Sequence, residues 1–497
     1  MCGIDGILGE YEEDEIVRMN SALEHRGRDE DGTHFGDGFA LGNRRLSIID
    51  TSNAGKQPMS NEDGTVWVTF NGEIYNFRAL KQELEAKGHK FRTKTDTEVI
   101  AHAYEEWGNN CVQRFNGMFA FGLYDAQQQK LILARDRVGI KPLYYTISDD
   151  KLVFASEAKA IVGNTARPNQ AHFSLDTFFY NGEETYFEGV SELLPAHVLE
   201  AKLNHGSIHV RKQRYWTIPN QAVKSDEAEV VREMCPLLEE SVRQKLTADV
   251  PIGVFLSGGL DSSLVTSLAI RDYPNLRAFC VGRPDFGRNE LDKAQQVADY
   301  LDVPLEKVEL SEDQIIRIIP KLIYHLEDPD PRNVELAVMN YFMSQRAADL
   351  GITVILSGEG ADEIHGGYES RYFSGWNNCY ELLQRWHSNH SKNKDRASMA
   401  VPVEIRAPFL DDTKLLEYSM SIDPTLKFRS NKYVLRQMAR RYLPEWISEQ
   451  KKGHGHLLSG VAFAVGGDLN KRYESYKDIF MQIFRDGAHY RDVSLSR

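Results

Sequence analysis

Apolar positions in the first two hundred residues fall in short β-type runs set off by polar turns. Val66-Trp67-Val68-Thr69-Phe70 is one, closed by Asn71-Gly72; residues 129–134 and 151–155 give two more. Short helical patterns lie between them. One covers about 77–87 and stops at Gly88, and another opens at Thr95-Asp96-Thr97-Glu98, which has capping-box spacing, and stops near Gly108. Strands and helices without strict alternation predict an α+β layered domain over residues 1–215. The polar, proline-marked stretch from Tyr215 to Asp226 reads as a linker.

Past the linker the pattern alternates. A helix at 227–246 precedes the apolar run Ile252-Gly253-Val254-Phe255-Leu256, and further strands are expected at 276–281, 305–310 and 352–356, with helices at 290–301 and 333–349. Repeated strand–helix units predict an α/β domain over 226–497, a doubly wound parallel sheet covered on both faces. Beyond about 365 the pattern is mainly helical, with loops at 387–412 and 450–460. No internal repeat is present.

Composition narrows the class. At 497 residues, 41% hydrophobic and 27% charged, the chain is a globular protein of two or three domains. No apolar stretch is long enough for a membrane span, and early acidic residues argue against a signal peptide. A net charge of −14 disfavours nucleic acid as a partner. The five cysteines are scattered without zinc-type spacing, which fits a reducing cytoplasm.

Two sites stand out. Cys2 follows Met1 directly, and removal of Met1 gives one residue both a thiol and a free α-amino group, a nucleophile with its own base. The second is Ser257-Gly258-Gly259-Leu260-Asp261-Ser262-Ser263, between a buried strand and a helix. Its glycines allow close backbone approach, and the helix N-terminus offers amides to an anion. It is neither a Walker loop nor a dinucleotide fingerprint. A carboxylate at Asp261 beside phosphates calls for Mg²⁺ between them. A second loop, Ser357-Gly358-Glu359-Gly360-Ala361-Asp362-Glu363, follows another predicted strand. Ligands gather at the carboxyl ends of parallel strands, so Asp261 and Asp362 are positioned to share one metal.

Together these motifs resemble the glutamine-dependent asparagine synthetase family over nearly the whole chain. The resemblance rests on Met1-Cys2-Gly3-Ile4, His25-Arg26-Gly27, residues 45–50, Asn71-Gly72-Glu73-Ile74-Tyr75-Asn76, Asp96, residues 117–121, 135–139, Ser156-Glu157, both loops and residues 403–411. It implies an N-terminal-nucleophile-type αββα glutaminase domain (a class II glutamine amidotransferase) joined to an ATP-pyrophosphatase domain with a helical C-terminal part. By that resemblance Cys2 attacks the glutamine carboxamide, and Asn71 and Gly72 form the oxyanion hole. Arg45, Ile48, Glu73 and Asp96 would hold the rest of glutamine. ATP would contact Leu256, Ser257, Gly258, Gly259, Asp261, Ser262, Ser263, Val281, Ser357 and Gly358, with Mg²⁺ on Asp261 and Asp362. Glu359 would take ammonia's proton, and Lys451, or its neighbour Lys452, would support charge on pyrophosphate. The reaction implied is amidation of a carboxylate through an acyl-adenylate, in a homodimer by family expectation.

The acceptor region departs from the pattern. Glu335 stands where many family members carry arginine, and Ala337 and Val338 replace small hydroxyl residues. Arg332, three residues upstream, compensates if Glu335 faces solvent. The lost cation weakens the case for aspartate and leaves the acceptor open: aspartate leads by the resemblance, with another carboxylate (a sugar acid or natural-product precursor) as the alternative. A ring-closing β-lactam-synthetase type is disfavoured by the intact Cys2, Asn71-Gly72 and Asp96. A non-catalytic glutamine and ATP sensor is disfavoured by Asp261, Asp362 and Glu359 together.

Overall fold

The computed structural model describes residues 1–163, 166–174, 182–219, 221, 223–284, 290–367, 381, 383, 387–450, 464–466 and 469–495. The first half supplies β1 (Gly3–Leu8), α1 (Glu13–Ala22), β2 (Glu30–Gly36), β3 (Phe39–Arg45), β4 (Met59–Ser60), β5 (Val66–Ile74), α2 (Phe77–Ala86) and α3 (Thr97–Trp107). It continues with β6 (Gly117–Asp125), β7 (Lys130–Arg135), β8 (Tyr144–Ile147), β9 (Leu152–Ala155), α4 (Ala158–Val162), β10 (Ser191–Glu192), β11 (His197–Asn204) and β12 (Ser207–Arg214). The strands form two antiparallel sheets of six, ordered β10-β8-β9-β1-β3-β2 and β12-β11-β7-β6-β5-β4.

Period-two alternation sorts each strand between two cores. Ile4 and Leu8 of β1 meet Ala120 and Tyr124 of β6 between the sheets, while Ile7 turns outward onto Ile16 and Met19 of α1. Phe119, Phe121 and Leu123 of β6 face outward onto α2 and α3. The result is helix–sheet–sheet–helix layering. The sheets close on Phe154, whose ring fills the space that side chains at Gly6 and Gly122 would need.

Two local expectations fail for physical reasons. The strand read as ending at Asn71-Gly72 runs on to Ile74, because Asn71 and Gly72 pair with Ala120 and Phe119 instead of turning. The capping box at Thr95–Glu98 does not form. Glu98 instead accepts from the Arg92 and Thr93 amides, both at 2.8 Å, and the Asp96 carboxylate accepts from the Ile74 amide at 2.9 Å.

The second half supplies α5 (Glu227–Lys245), β13 (Ile252–Phe255), α6 (Leu260–Asp272), β14 (Arg277–Gly282), α7 (Leu291–Leu301), β15 (Leu305–Glu309), α8 (Glu312–Leu326), α9 (Pro331–Asp349), β16 (Val354–Leu356), α10 (Ala361–His365) and β17 (Glu404–Arg406). The parallel sheet runs β15-β14-β13-β16-β17. Val254, Ala278 and Leu356 pack on α5 and α6, while Phe255, Phe279 and Ile355 pack against Ala347 of α9 on the opposite face. The order reverses between β13 and β16, so the crevice at their carboxyl ends is the ligand position of such a sheet. Strand β17 was not foreseen: three residues inside an expected loop carry too little pattern to read. That same expected loop contains helical turns at His387–Arg396.

The halves share cores. Met1, Leu46, Ile48 and Val138 join the cluster built on α5 and α6, and Tyr144, Tyr186 and Phe187 join one with Tyr476 and Phe480. The expected linker is stitched down too: Trp216 donates to Glu417 at 2.7 Å and Ile218 is buried.

Candidate active sites

Cys2 lies at the start of β1, buried, with its backbone amide donating to Asn71 Oδ1 at 2.9 Å. Burial pushes its thiol pKa up, while the ammonium of Met1, still in place ahead of it, the Leu46 amide and Arg45 pull it down. The Asn71 Nδ2 is buried and has no hydrogen-bond acceptor among the described residues. An orphaned donor beside a thiol suits an oxyanion that forms only during reaction. Gly72 lies where a Cβ would strike the Met118 carbonyl, so this backbone tolerates no side chain.

Two buried carboxylates sit beside this group. Burial lifts Asp96 to about 6, and burial together with Asp96 raises Glu73 well above the ordinary range. Glu73 Oε2 accepts from Arg406 Nη2 at 2.9 Å, and its Oε1 has no partner. The pair is short of positive charge, which an α-ammonium would supply. Arg45 is placed differently from expectation. Its guanidinium is turned into the loop after β3, donating to Glu30 at 2.6 Å, Asp50 O at 2.6 Å, Ile49 O at 3.2 Å and Ser52 O at 3.3 Å. As arranged, it braces that loop, and a carboxylate must displace those acceptors to reach it. The Ile48 carbonyl accepts from the Asp249 amide at 2.9 Å across the interface.

Two arginines given no role in the sequence reading link this pocket to the second half. Arg26 donates to the Cys2 carbonyl at 3.1 Å, to Glu157 at 2.8 Å and to Asp395 at 2.7 Å. Arg406 on β17 donates to Glu404 at 2.7 Å, to Glu73 and to the Lys245 and Thr247 carbonyls. Although burial opposes it, the N-terminal ammonium, 3.2 Å away, and Arg406 hold Glu404 down to about 2.

At the parallel sheet, residues 257–263 follow β13 and residues 357–363 follow β16. The loops touch: a Cβ on Gly358 would come within 2.8 Å of the Ser262 amide and 2.9 Å of Asp261 Cβ. Gly258 has φ +72°, open to glycine at little cost, and its own Cβ would lie 2.7 Å from the Lys293 carbonyl carbon. Ser262 Oγ bonds to Ser257 Oγ at 3.2 Å, while the Ser263 and Ser357 hydroxyls are buried without a partner. Leu256 and Val281 are buried at the sheet's carboxyl edge, and Gly259 caps α6.

Asp261 and Asp362 converge, as expected, and the ion pairs they share are with Lys432, at 2.6 Å from Asp362. Burial opposes its charge, but the two carboxylates raise the Lys432 pKa. An ammonium group there shows that the position takes a cation, and an oxygen-only donor pair suits Mg²⁺. Lys432 had no sequence signal; it sits 171 residues from Asp261 in the chain. Glu359 pairs with Lys394. Lys451 lies outside the described residues, but Gln450 just before it donates to the Gly258 carbonyl.

The acceptor-side expectation needs correction. Glu335 does not face solvent. It is buried and paired with Arg472 Nε at 2.6 Å, and burial lifts it to about 7. Arg332 grips Asp330, through Nε at 2.9 Å and Nη2 at 2.5 Å. The cation meeting Glu335 thus comes from the helix Leu469–Phe484, not from Arg332.

Layered antiparallel sheets around the Cys2 thiol, packed against a parallel sheet with paired acidic loops, suit an amidotransferase coupled to a synthetase. Comparison with known proteins agrees: residues 1–216 match the family model of the glutamine amidotransferase domain, and residues 233–381 and 377–475 match that of asparagine synthase. The chain is 35% identical to asparagine synthetase [glutamine-hydrolyzing] 2 of Arabidopsis thaliana, over 98% of this chain and 88% of that protein. It is 37% identical to asparagine synthetase [glutamine-hydrolyzing] 1 of Bacillus subtilis over 74% of this chain, a match spanning 59% of that relative's length. The chain belongs to the glutamine-hydrolysing asparagine synthetase family.

Proposed function

We propose that this protein is an asparagine synthetase that converts aspartate to asparagine, using glutamine as the nitrogen donor and ATP, and releasing glutamate, AMP and pyrophosphate. One observation carries the coupling of the two sites. Arg406 braces Glu73 in the glutamine pocket through its side chain, while its carbonyl accepts from the Ser357 amide in the second phosphate loop at 2.9 Å. A single residue of β17 touches both sites.

In this reading residues 1–215 are the glutaminase and 226–497 the synthetase. Cys2 attacks the carboxamide, with Asn71 Nδ2 and the Gly72 amide on the developing oxyanion and Asp96 and Glu73 on the α-ammonium. Arg45 takes the α-carboxylate after exchanging its loop acceptors, beside Ile48. The loops 257–263 and 357–363, with Leu256 and Val281, hold ATP, and the acceptor carboxylate displaces pyrophosphate at the α-phosphate. Bound Mg²⁺ would neutralise phosphate charge beside Asp261 and Asp362. Glu359 receives the proton of the attacking ammonia, and Lys451 supports the pyrophosphate side. Unpaired, buried thiols at Cys2, Cys111, Cys235 and Cys280 suit a reducing cytoplasm. Among the described residues no helix is long and apolar enough to cross a membrane. Family resemblance supports a homodimer.

The engagement of Arg332 by Asp330 and of Arg472 by Glu335 favours one second reading, an acceptor other than aspartate. Mass spectrometry after incubation with glutamine, Mg-ATP and aspartate separates the two. Asparagine in step with AMP and pyrophosphate is the expected result. Glutamate released without asparagine or AMP overturns aspartate as the acceptor.

A further inference from the structure

A second cluster of chemistry-bearing side chains lies on the outer helical layer of the first half, and none of the roles above involves it. Four groups from three separate elements meet there: Glu62 from the turn between β4 and β5, His89 just beyond α2, and His102 and Glu105 on α3. One donor atom from each lies within 4.8 Å of all the others. His102 is wholly buried, and its Nδ1 faces Glu105 Oε2 at 3.0 Å and Glu62 Oε2 at 3.2 Å. His89 Nδ1 stands 3.7 Å from the same Glu105 oxygen. The sequence offered no cysteine or histidine pair at zinc spacing, because these ligands are local only within α3.

The other side of His102 is prepared as well. Its Nε2 faces Glu98 Oε1 at 3.7 Å, too far for a hydrogen bond, and that nitrogen has no other partner. Glu98 is itself fixed by the Arg92 and Thr93 amides and the Thr93 hydroxyl. A histidine whose ligating nitrogen looks into a ligand cluster while its second nitrogen looks at an anchored carboxylate has the outer-shell support of a metal ligand. Charge points the same way. Glu62, Glu98 and Glu105 surround one imidazole, Lys87 is paired with Glu106, and the Arg92 guanidinium is spent on the Ser60 and Asn61 carbonyls.

We propose that Glu62, His89, His102 and Glu105 form a structural site for a zinc-type transition-metal dication. Two imidazoles and two carboxylates make a four-ligand N/O set of donor types that zinc binds, enough for its tetrahedral geometry. Such a site places donor atoms about 3.3–3.6 Å apart, from metal–ligand bonds of about 2.0–2.2 Å. Closing to that size asks movement mainly of Glu62 and Glu105, the two more exposed members. Binding ties the β4–β5 turn and the end of α2 to the helix whose N-cap is Asp96.

The test is calorimetric titration of metal-free, full-length protein with ZnCl₂, with Mg²⁺ in excess to occupy oxygen-only sites. One Zn²⁺ per chain is expected. The double variant H89A/E62Q, altered at non-core positions and checked for folding by its metal-free melting temperature, should bind at least ~100-fold more weakly. E98Q, which touches no metal, should weaken binding by about 10–100-fold. The Co²⁺-loaded protein should show tetrahedral bands without thiolate charge transfer. Absence of Zn²⁺ binding, equal binding by the double variant, or a thiolate band, which would put the metal on a cysteine, overturns the proposal.

Discussion

Replacing Asp96 with asparagine should make the protein more stable and less able to use glutamine. Asp96 is buried, and its pKa of about 6, against an ordinary 3.8, means the folded state resists its ionisation. For a carboxyl group raised in this way the unfolded chain loses its proton first. Stability therefore falls as pH rises from about 4 to 6, and the full penalty persists above 6. The difference amounts to about 3 kcal/mol at pH 8 and about half that at pH 5. Asparagine keeps an oxygen for the Ile74 amide and carries no charge, so Asp96→Asn removes the penalty and relieves repulsion on Glu73. If the first half melts as one unit of roughly 200 residues, its Tm should rise by roughly 5–10 °C at pH 8, less at pH 5, and not at all near pH 3. The same change deletes a charge-assisted contact to the α-ammonium of glutamine, worth about 1.5–3 kcal/mol, so KM for glutamine should rise roughly 10–150-fold. Calorimetry at three pH values and a glutaminase assay measure both. A variant less stable at pH 8, or one with unchanged KM, would refute the reasoning.

Other substitutions separate the two sites. Cys2→Ala should abolish glutamine-dependent synthesis and leave ammonia-dependent synthesis intact; loss of both in a folded variant contradicts separate sites. Asn71→Ala removes the orphaned Nδ2 and should lower glutaminase kcat about 10²–10³-fold, measured as glutamate release. Asp261→Asn should stop pyrophosphate formation while glutaminase activity persists, and undiminished ATP turnover would displace it from the metal site. Arg406→Met removes the guanidinium that Glu73 and Glu404 share, leaving Glu404 with the N-terminal ammonium as its ion-pair partner, and should destabilise the protein by about 3–5 kcal/mol, read by denaturant titration.

Local pattern carried much of this protein. Short β-type apolar runs marked β5, β7 and β9, and apolar segments before glycine loops marked β13 and β16. Strand β17 was illegible, because a three-residue strand is defined by its neighbour β16 and not by its own residues. The Thr95–Glu98 spacing suggests a cap, but Glu98 turns back to the Arg92 and Thr93 amides of its own loop and Asp96 takes the Ile74 amide on β5.

Residues whose chemistry is intrinsic could be named from sequence: the Cys2 thiol and the glycines and aspartates of the two phosphate loops; Asn71-Gly72 took its role from the family resemblance. Their partners could not. Lys432 between Asp261 and Asp362, Arg472 against Glu335, Arg406 between Glu73 and Glu404, and Arg45 folded into its own loop are long-range or rotameric choices. The sequence by itself determined which groups are able to react and which layers the chain forms, because those follow from side-chain chemistry and from periodicity along a few residues. The tertiary structure alone decided which charge meets which. Buried ions pair according to the space left when sheets and helices pack, and that space brings together residues such as Glu73 and Arg406, 333 positions apart.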